Sequence, residues 1–502
     1  MRSRKLIKGS FLNTLNLIAQ ILSGFYVMPL MIHNFGDEMF GIWILVASFM
    51  GYAAIFDLGL PSAVGRFISQ AIGRGGKDSD REIASITSTA FYIFLFISFI
   101  TMIFIFVVYA VSPSFIKAAN QVDLFRELLL ILCLNNVFMF PTFIFEGVLV
   151  SNLRHDLLNI RKVVFTVLRV ILTVLIIRTN GSLVAIAWAT VICNIIENFV
   201  AVFLSYRVDK RTSILPRYFT PAMVQQLFGY SIYTFIGKIA DALRFQIDSV
   251  VITMFCGVAQ VTTFRVASRL VEYFMQFISG LTGVLNPYFS QEEGRNNYEG
   301  IKEKFLLVTK IITFIAFFFG GMLVLHGKNL IALWVGTKYP ISYYVLVILI
   351  VPVTVSLGQS AIFPLLYGIS KHKFLAYLNM AEGVLNLVLS ILLVKPFGIS
   401  GVALGTAIPL LITKVFIQPV YVTRILGISL SRYIGVILGP IMLTTLSLVL
   451  PWLFVSPYVK PDLVSMFSVV VVHLVVFLVI IVRFGFTSVE LQFFLRIFKR
   501  KS

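Results

Sequence analysis

The stretch FISQAIGR, residues 67–74, returns 221 positions later as YFSQEEGR, residues 288–295. Extended backwards without gaps, residues 52–74 and 273–295 share eight identities in 23 positions. Tyr52 meets Tyr273, Phe56 meets Phe277, Gly59 meets Gly280 and Leu60 meets Leu281. Ser69, Gln70, Gly73 and Arg74 then meet Ser290, Gln291, Gly294 and Arg295. A second pair, NGSLVAIAWATVI (180–192) and PFGISGVALGTAI (396–408), lies at an offset of 216. The order of the matches holds while a few positions drop out, which is the pattern of a duplicated chain.

What is duplicated follows from composition. The chain has 502 residues, of which 59% are hydrophobic and 13% charged, and its mean hydropathy is +0.95. A soluble domain carries about 25% charged residues, so this is a polytopic membrane protein. A bilayer-spanning helix needs ~20 mostly apolar residues. That rule gives about fourteen spans: 10–32, 39–56, 83–111, 128–150, 163–177, 182–205, 222–255, 259–287, 305–325, 341–367, 374–394, 398–421, 431–455 and 463–486. No segment alternates with period two, so a β-barrel is excluded. The apolar run 10–32 is too long for a cleavable signal and ends without a small-residue site, so it reads as a retained first span.

Of the 41 Lys and Arg, 27 fall in the termini and every second loop, 7 in the opposite loops and 7 within or at the edge of spans. This asymmetry puts both termini in the cytoplasm. It also accounts for the net charge of +19 without nucleic acid as a partner. Cys133, Cys193 and Cys256 lie in apolar segments with no metal-ligand spacing. Six spans separate the repeats, an even number, so the halves run parallel. The expected architecture is an all-α integral membrane protein with two parallel six-helix bundles related by a pseudo-two-fold, residues 1–215 and 216–428. Two extra helices and a basic tail, 429–502, follow them.

Charges inside spans are costly and mark cavities or partners. In YSIYTFIGKIADALRFQID (230–248), Ser231, Thr234, Lys238, Asp241, Arg244 and Asp248 recur at gaps of 3, 4, 3, 3 and 4, one face of a helix. The next span carries Arg265, Arg269, Glu272 and Gln276 at gaps of 4, 3 and 4. At ~1.5 Å per residue, Arg244 and Arg269 lie near the bilayer midplane. The first span repeats the face in neutral form, with Asn13, Asn16, Gln20 and Ser23. Gln20 meets Asp241 and Ser23 meets Arg244 at the same offset. Two readings stand. The charges neutralise one another and join two helices, or they line a wet cavity in which Arg forks grip phosphate oxygens. Asp57 opens DLGLP (57–61), where Gly59 and Pro61 disrupt the helix; it either caps the following segment or pairs with Arg66. Arg169 reads as close enough to its helix end to snorkel. Glu146, Glu197 and Glu382 read as lying near cytoplasmic ends, and His155 and His372 as surface histidines.

With two six-helix halves, a polar seam and DLGL after the second span, the chain resembles the polysaccharide flippases. These are the O-antigen and teichoic-acid exporters of the superfamily that also holds multidrug antiporters and the lipid II flippase. KGSFLNTLNLIAQILSGFYVMPLMIHNFG (8–36) and FQIDSVVITMFCGVAQVTTFRVASRL (245–270) carry the resemblance. It implies alternating access around a cationic cavity, in the cytoplasmic membrane of a bacterium. The implied substrate is an undecaprenyl-pyrophosphate-linked oligosaccharide, with membrane lipid and polymerase or other assembly proteins as partners. By the same resemblance Arg269 and Arg244 grip the pyrophosphate, Arg66 is a weaker third, and Arg265, Lys238, Gln20 and Asn16 extend the surface. The last two helices, by that likeness, form a groove for the lipid tail, although His473 interrupts 463–486. The chain carries no ATP-binding motif and no cofactor is expected. The expected energy source is a proton or sodium gradient or the consumption of product, with Asp57, Asp241, Asp248 and Glu272 as candidate coupling acids. A multidrug or cation antiporter wants acids to dominate the cavity. A membrane enzyme such as a polymerase wants a large outer loop, and an acyltransferase wants a buried catalytic His, for which His473 is the mid-span residue.

Overall fold

A computed structural model describes the backbone of residues 2–282, 285–369, 371, 373–487 and 490. Side chains are described for the same residues except 2–11, 77, 233, 234, 236, 237, 240–245, 286 and 287. Among the described residues there is no strand, and nine helical stretches are long and apolar enough to cross a membrane.

Two of these stretches are far too long to cross once. Leu12–Arg74 has 63 residues and Lys373–Leu426 has 54. As straight helices they would reach ~95 and ~81 Å against a hydrocarbon core of ~30 Å. The chain therefore has to break within them, and it does so at glycine. Helix α1 (Arg2–Ala53) is interrupted at Gly36, φ 77° and ψ 175°. Between α1 and α2 (Leu60–Arg74) lie a short 3₁₀ turn, Ala54–Asp57, and two left-handed residues, Leu58 at φ 54° and Gly59 at φ 73°. In the second stretch the interruption is at Gly398, φ 57° and ψ −138°. Among the described residues the expected spans fall largely on helix, but several are joined or divided differently, so the helices do not reproduce fourteen separate spans.

The chain forms two compact units, Met1–Thr262 and Thr263–Ser502. The first contains α1, α2, α3 (Gly76–Val111), α4 (Ala119–Ser151), α5 (His155–Arg178), α6 (Leu183–Val208), α7 (Pro221–Phe245) and α8 (Ile247–Cys256). The helix α9 (Val258–Thr282) carries the division. The second unit continues with α10 (Asn286–Gly294), α11 (Tyr298–Val335), α12 (Pro340–Gly358), α13 (Ile362–Gly368), α14 (Lys373–Ile412), α15 (Gln418–Leu426), α16 (Leu430–Val455) and α17 (Leu463–Ile480).

The first unit runs past the sequence boundary at 215/216 because Met223 and Leu227 of α7 are buried in its core with Val64 and Phe94. The connecting segment after α6 is buttoned onto α3. The Ser88 hydroxyl donates to the Leu215 carbonyl at 2.7 Å, the Tyr92 hydroxyl to the Ile214 carbonyl at 3.1 Å, and the Thr87 hydroxyl to the Ser213 carbonyl at 2.9 Å. Backbone that would otherwise need water finds its partners on one helix. Asp209 begins this segment, nearly buried, and accepts from the Arg211 backbone N–H at 3.0 Å and its Nη2 at 2.8 Å.

The sequence between residues 57 and 82, expected to be loop, holds α2. Its buried Leu60, Ala63, Val64, Ile68 and Ala71 form a helical stripe against Phe94, Phe140 and Ile144. FISQAIGR closes α2, and YFSQEEGR falls on the end of α10. The backbone follows the repeat at two further places. Gly36 and Gly257, 221 positions apart, both have positive φ, 77° and 92°; so do Gly75 and Asn296, 67° and 56°. Glycine and asparagine are the residues that tolerate this region. In the second unit α11, α16 and α17 share a core of Phe314, Phe318, Met322, Leu448, Val469 and Phe477, with the rings of Phe318 and Phe477 4.3 Å apart.

Candidate functional site

In the second unit the sequence-derived stripe on α9 forms a compact triad. Glu272 accepts from Arg265 twice, Nη1 to Oε1 at 2.5 Å and Nη2 to Oε2 at 3.2 Å. It also accepts from Arg269, Nη1 to Oε2 at 2.8 Å. The Arg269 guanidinium lies over the Tyr273 ring, 4.8 Å from its centroid. The reason is spacing: residues 265, 269 and 272 are neighbours on one helical face. The three side chains keep 25%, 27% and 30% of their surface exposed. They are held in place but reachable. Two cations against one anion leave a net positive charge.

In the first unit Asp57 is buried, and both sequence alternatives for it are resolved by its partners. Its Oδ1 accepts from the Gly59 N–H at 2.8 Å, an Asx turn that leads into α2 without capping it: Gly59 is the N-cap and no side chain bonds there. Its Oδ2 is paired with Lys238 of α7, not with Arg66. Arg66 stands instead over Tyr230, 4.5 Å from the ring centroid. Asn16 and Gln20 bond each other along α1, Gln20 Nε2 donating to Asn16 Oδ1 at 3.3 Å. Asp248 is buried in α8, within electrostatic reach of Tyr52. Asp241 and Arg244 fall among residues whose side chains lie outside the description, so the expected pairing of Arg244 with Arg269 at one depth is a statement about sequence alone.

Other charges prove to be scaffold. Arg169 does not snorkel: α5 begins at His155, so Arg169 lies ~21 Å along the helix at ~1.5 Å per residue. It donates to Glu197 of α6 at 2.8 Å and to Asn194 at 2.6 Å. Arg161, counted as a loop residue, is buried in α5, paired with Glu146 of α4 and 3.6 Å from Glu197. In the second unit Lys414 and Glu382 stand 3.6 Å apart with 1% and 2% exposure. A π-helical turn, Thr413–Ile417, frees the Lys414 carbonyl, and Gln359 Nε2 donates to it at 2.9 Å. The Tyr433 hydroxyl closes the chain by donating to Gln359 Oε1 at 3.1 Å. Lys414 gave no signal in the sequence beyond being one cation in an apolar run; the burial of Arg161 was concealed by a helix start placed eight residues late.

His473 has a partner the sequence did not suggest. His326, expected just beyond a span, is buried in α11, with its ring 5.0 Å from that of His473. His473 Nδ1 lies 2.8 Å from the Val469 carbonyl. The second unit also holds a cavity of about 570 Å³ along α11 and α16, with Lys310, Arg432 and Glu490 at one part of its wall and Phe314, Leu443 and Phe484 at another. Among the described residues no group of three or more His, Cys, Asp or Glu is placed to hold a metal.

A family model described as "Polysaccharide biosynthesis protein" matches residues 36–343. The chain belongs to this polysaccharide biosynthesis family. The resemblance to polysaccharide flippases rested on stretches that overlap this range, and family membership bears it out. The chain is 21% identical over 424 residues to a putative O-antigen transporter of Shigella flexneri, covering 83% of this chain and 97% of the relative. It is also 21% identical over 441 residues to the uncharacterized membrane protein EpsK of Bacillus subtilis, covering 85% of each. Among solved structures, the lipid II flippase MurJ in an inward closed conformation superposes with a TM-score of 0.70 at 16% identity, over 94% of this chain and 98% of that one. An inward-facing multidrug resistance MATE family transporter of the MOP superfamily does so with a TM-score of 0.70 at 15% identity, over 81% and 94%. These likenesses give this family member the MOP fold.

Proposed function

We propose that the protein is a flippase that carries an undecaprenyl-pyrophosphate-linked oligosaccharide across the cytoplasmic membrane by alternating access, with both termini in the cytoplasm. The observation that carries the reading is the α9 triad: two arginines on one helical face, net positive and a quarter exposed, on a helix that the sequence reads as a span. A guanidinium presents five N–H donors in a planar fork that fits phosphate oxygens. A sugar chain on a pyrophosphate cannot cross hydrocarbon unaided, because each unmet polar group costs several kcal/mol. Arg265 and Arg269 supply the compensation at the pyrophosphate. The named relatives, an O-antigen transporter and a lipid II flippase, support this class of substrate. The cavity on α11 and α16, charged in one part and apolar in another, suits a prenyl tail. Energy comes from a proton or sodium gradient, with Asp248 as the buried acid that serves it.

The test is removal of the protein followed by analysis of lipid-linked saccharide. The expected result is accumulation of a complete lipid-linked unit on the cytoplasmic face. Normal export, or accumulation on the outer face, contradicts the proposal.

A further inference from the structure

We propose that Glu272 is the resident counter-anion of the α9 arginine pair, the group a diphosphate has to displace on binding and that takes its place again on release. The inference rests on the reading of α9 as the diphosphate-gripping face.

One carboxylate does the work of two anionic groups here. Its Oε1 and Oε2 engage both terminal nitrogens of Arg265, and Oε2 also engages Arg269. The two forks are thereby held side by side around one carboxylate, so that a diphosphate could offer one phosphoryl group to each guanidinium. All three residues belong to one helix, so the bonds fasten α9 to no neighbour. Pairs that join helices look different in this chain. Arg169 meets Glu197 across α5 and α6 with the carboxylate 12% exposed, Lys238 meets Asp57 with it 7% exposed, and Lys414 meets Glu382 at 1% and 2%. The α9 side chains keep 25–30%. An incoming anion can reach them, and Glu272 can leave by turning its side chain while the backbone stays in place.

The exchange has two consequences. A single phosphate that displaces Glu272 replaces one bridging anion by another and gains little. A diphosphate brings a phosphoryl group for each fork and gains the second interaction outright. When the diphosphate leaves, Glu272 returns, so the two guanidiniums are not left facing each other without an anion in a low-dielectric site, which would be costly. Glu272 thus weakens binding and eases release.

The experiment measures binding of inorganic pyrophosphate and of orthophosphate to the full-length protein in lipid nanodiscs, by calorimetry, for the native chain, Glu272→Gln, Glu272→Ala and Arg269→Ala. Loss of the competing carboxylate is expected to tighten pyrophosphate binding about tenfold, ~1.4 kcal/mol. The cost of displacing Glu272 is common to both anions, so orthophosphate binding is expected to tighten by a similar factor. Arg269→Ala loses pyrophosphate binding. If the native chain binds pyrophosphate and both Glu272 variants bind it equally or more weakly, the counter-anion role is overturned while the α9 reading stands. If both Glu272 variants fail to insert, Glu272 is a structural clamp and the inference is likewise overturned. If no form binds pyrophosphate, the α9 reading itself falls and takes the inference with it.

Discussion

Residues 52–74 and 273–295 are written in similar letters and folded differently. In the first, helix ends at Asp57, passes through left-handed Leu58 and Gly59, and resumes at Leu60. In the second, the positions that match these run on as uninterrupted helix in α9, through Ile278, Ser279 and Gly280. The difference lies in where each half keeps its acid. The break in the first half frees the Gly59 N–H and turns Asp57 inward, where that N–H and Lys238 use it up. In the second half the unbroken helix keeps Glu272 in register with Arg265 and Arg269, and all three retain access to an exchange partner. A duplicated scaffold thus supports a polar contact with a buried carboxylate in one copy, 7% exposed, and one with an exposed carboxylate in the other, 30%. An ion pair that joins helices through a buried carboxylate reads as architecture; one whose carboxylate is exposed and that joins nothing reads as a site.

The largest effect expected from crossing the two designs is that of Ile278→Asp, which puts the acid of the first stretch into the second. Ile278 has no exposure, no chain break there supplies an N–H, and a buried unpaired carboxylate costs several kcal/mol. Loss of the folded, membrane-inserted protein on expression should follow, and normal yield would show that α9 can break where α2 begins. The next pair of substitutions should have opposite signs. Gly59→Ala places a Cβ at φ 73° and should destabilise by ~1–2 kcal/mol. Gly280→Ala, at an exposed helical position, should stabilise by ~0.5–1 kcal/mol. Thermal unfolding midpoints of the purified proteins compare the two, and shifts of equal sign would mean that the repeats share one conformation after all. The smallest effect concerns Asp209, in the segment that joins the repeats. Burial pushes its carboxyl up, but the Arg211 side chain and backbone N–H, and Asn152, more than offset this and hold it below the usual range. Because the folded value lies below the unfolded one, about 3.9, the stability it adds is present above that pH and is lost as pH falls through the lower folded value. Native protein should therefore lose more thermal stability on acidification below about pH 4 than Asp209→Asn does; parallel acid profiles would remove the joining segment's carboxylate from the account.

The parts of this architecture carried by periodicity were legible before any coordinates. Apolar runs gave the helices, and gaps of 4 and 3 put Arg265, Arg269 and Glu272 on one face. Helix ends were less legible. A span detected by hydropathy begins where the apolar residues begin, so the polar first turns of α5 went unread, and with them the burial of Arg161 and the depth of Arg169. α2 escaped because its stripe of Ala, Val and Ile is amphipathic rather than uniformly apolar. Partners across helices left no trace in sequence order. Lys238 with Asp57, Lys414 with Glu382, and His326 with His473 are separated by 181, 32 and 147 positions, and nothing local announces such a pairing.

The central claim is that the α9 arginines bind the anionic head of the transported lipid. It is tested most directly by surface glycan in cells that carry Arg265→Ala together with Arg269→Ala, with the amount of protein in the membrane measured alongside. The account predicts normal insertion, absent surface glycan and accumulated lipid-linked saccharide. Wild-type surface glycan from the double variant would contradict it.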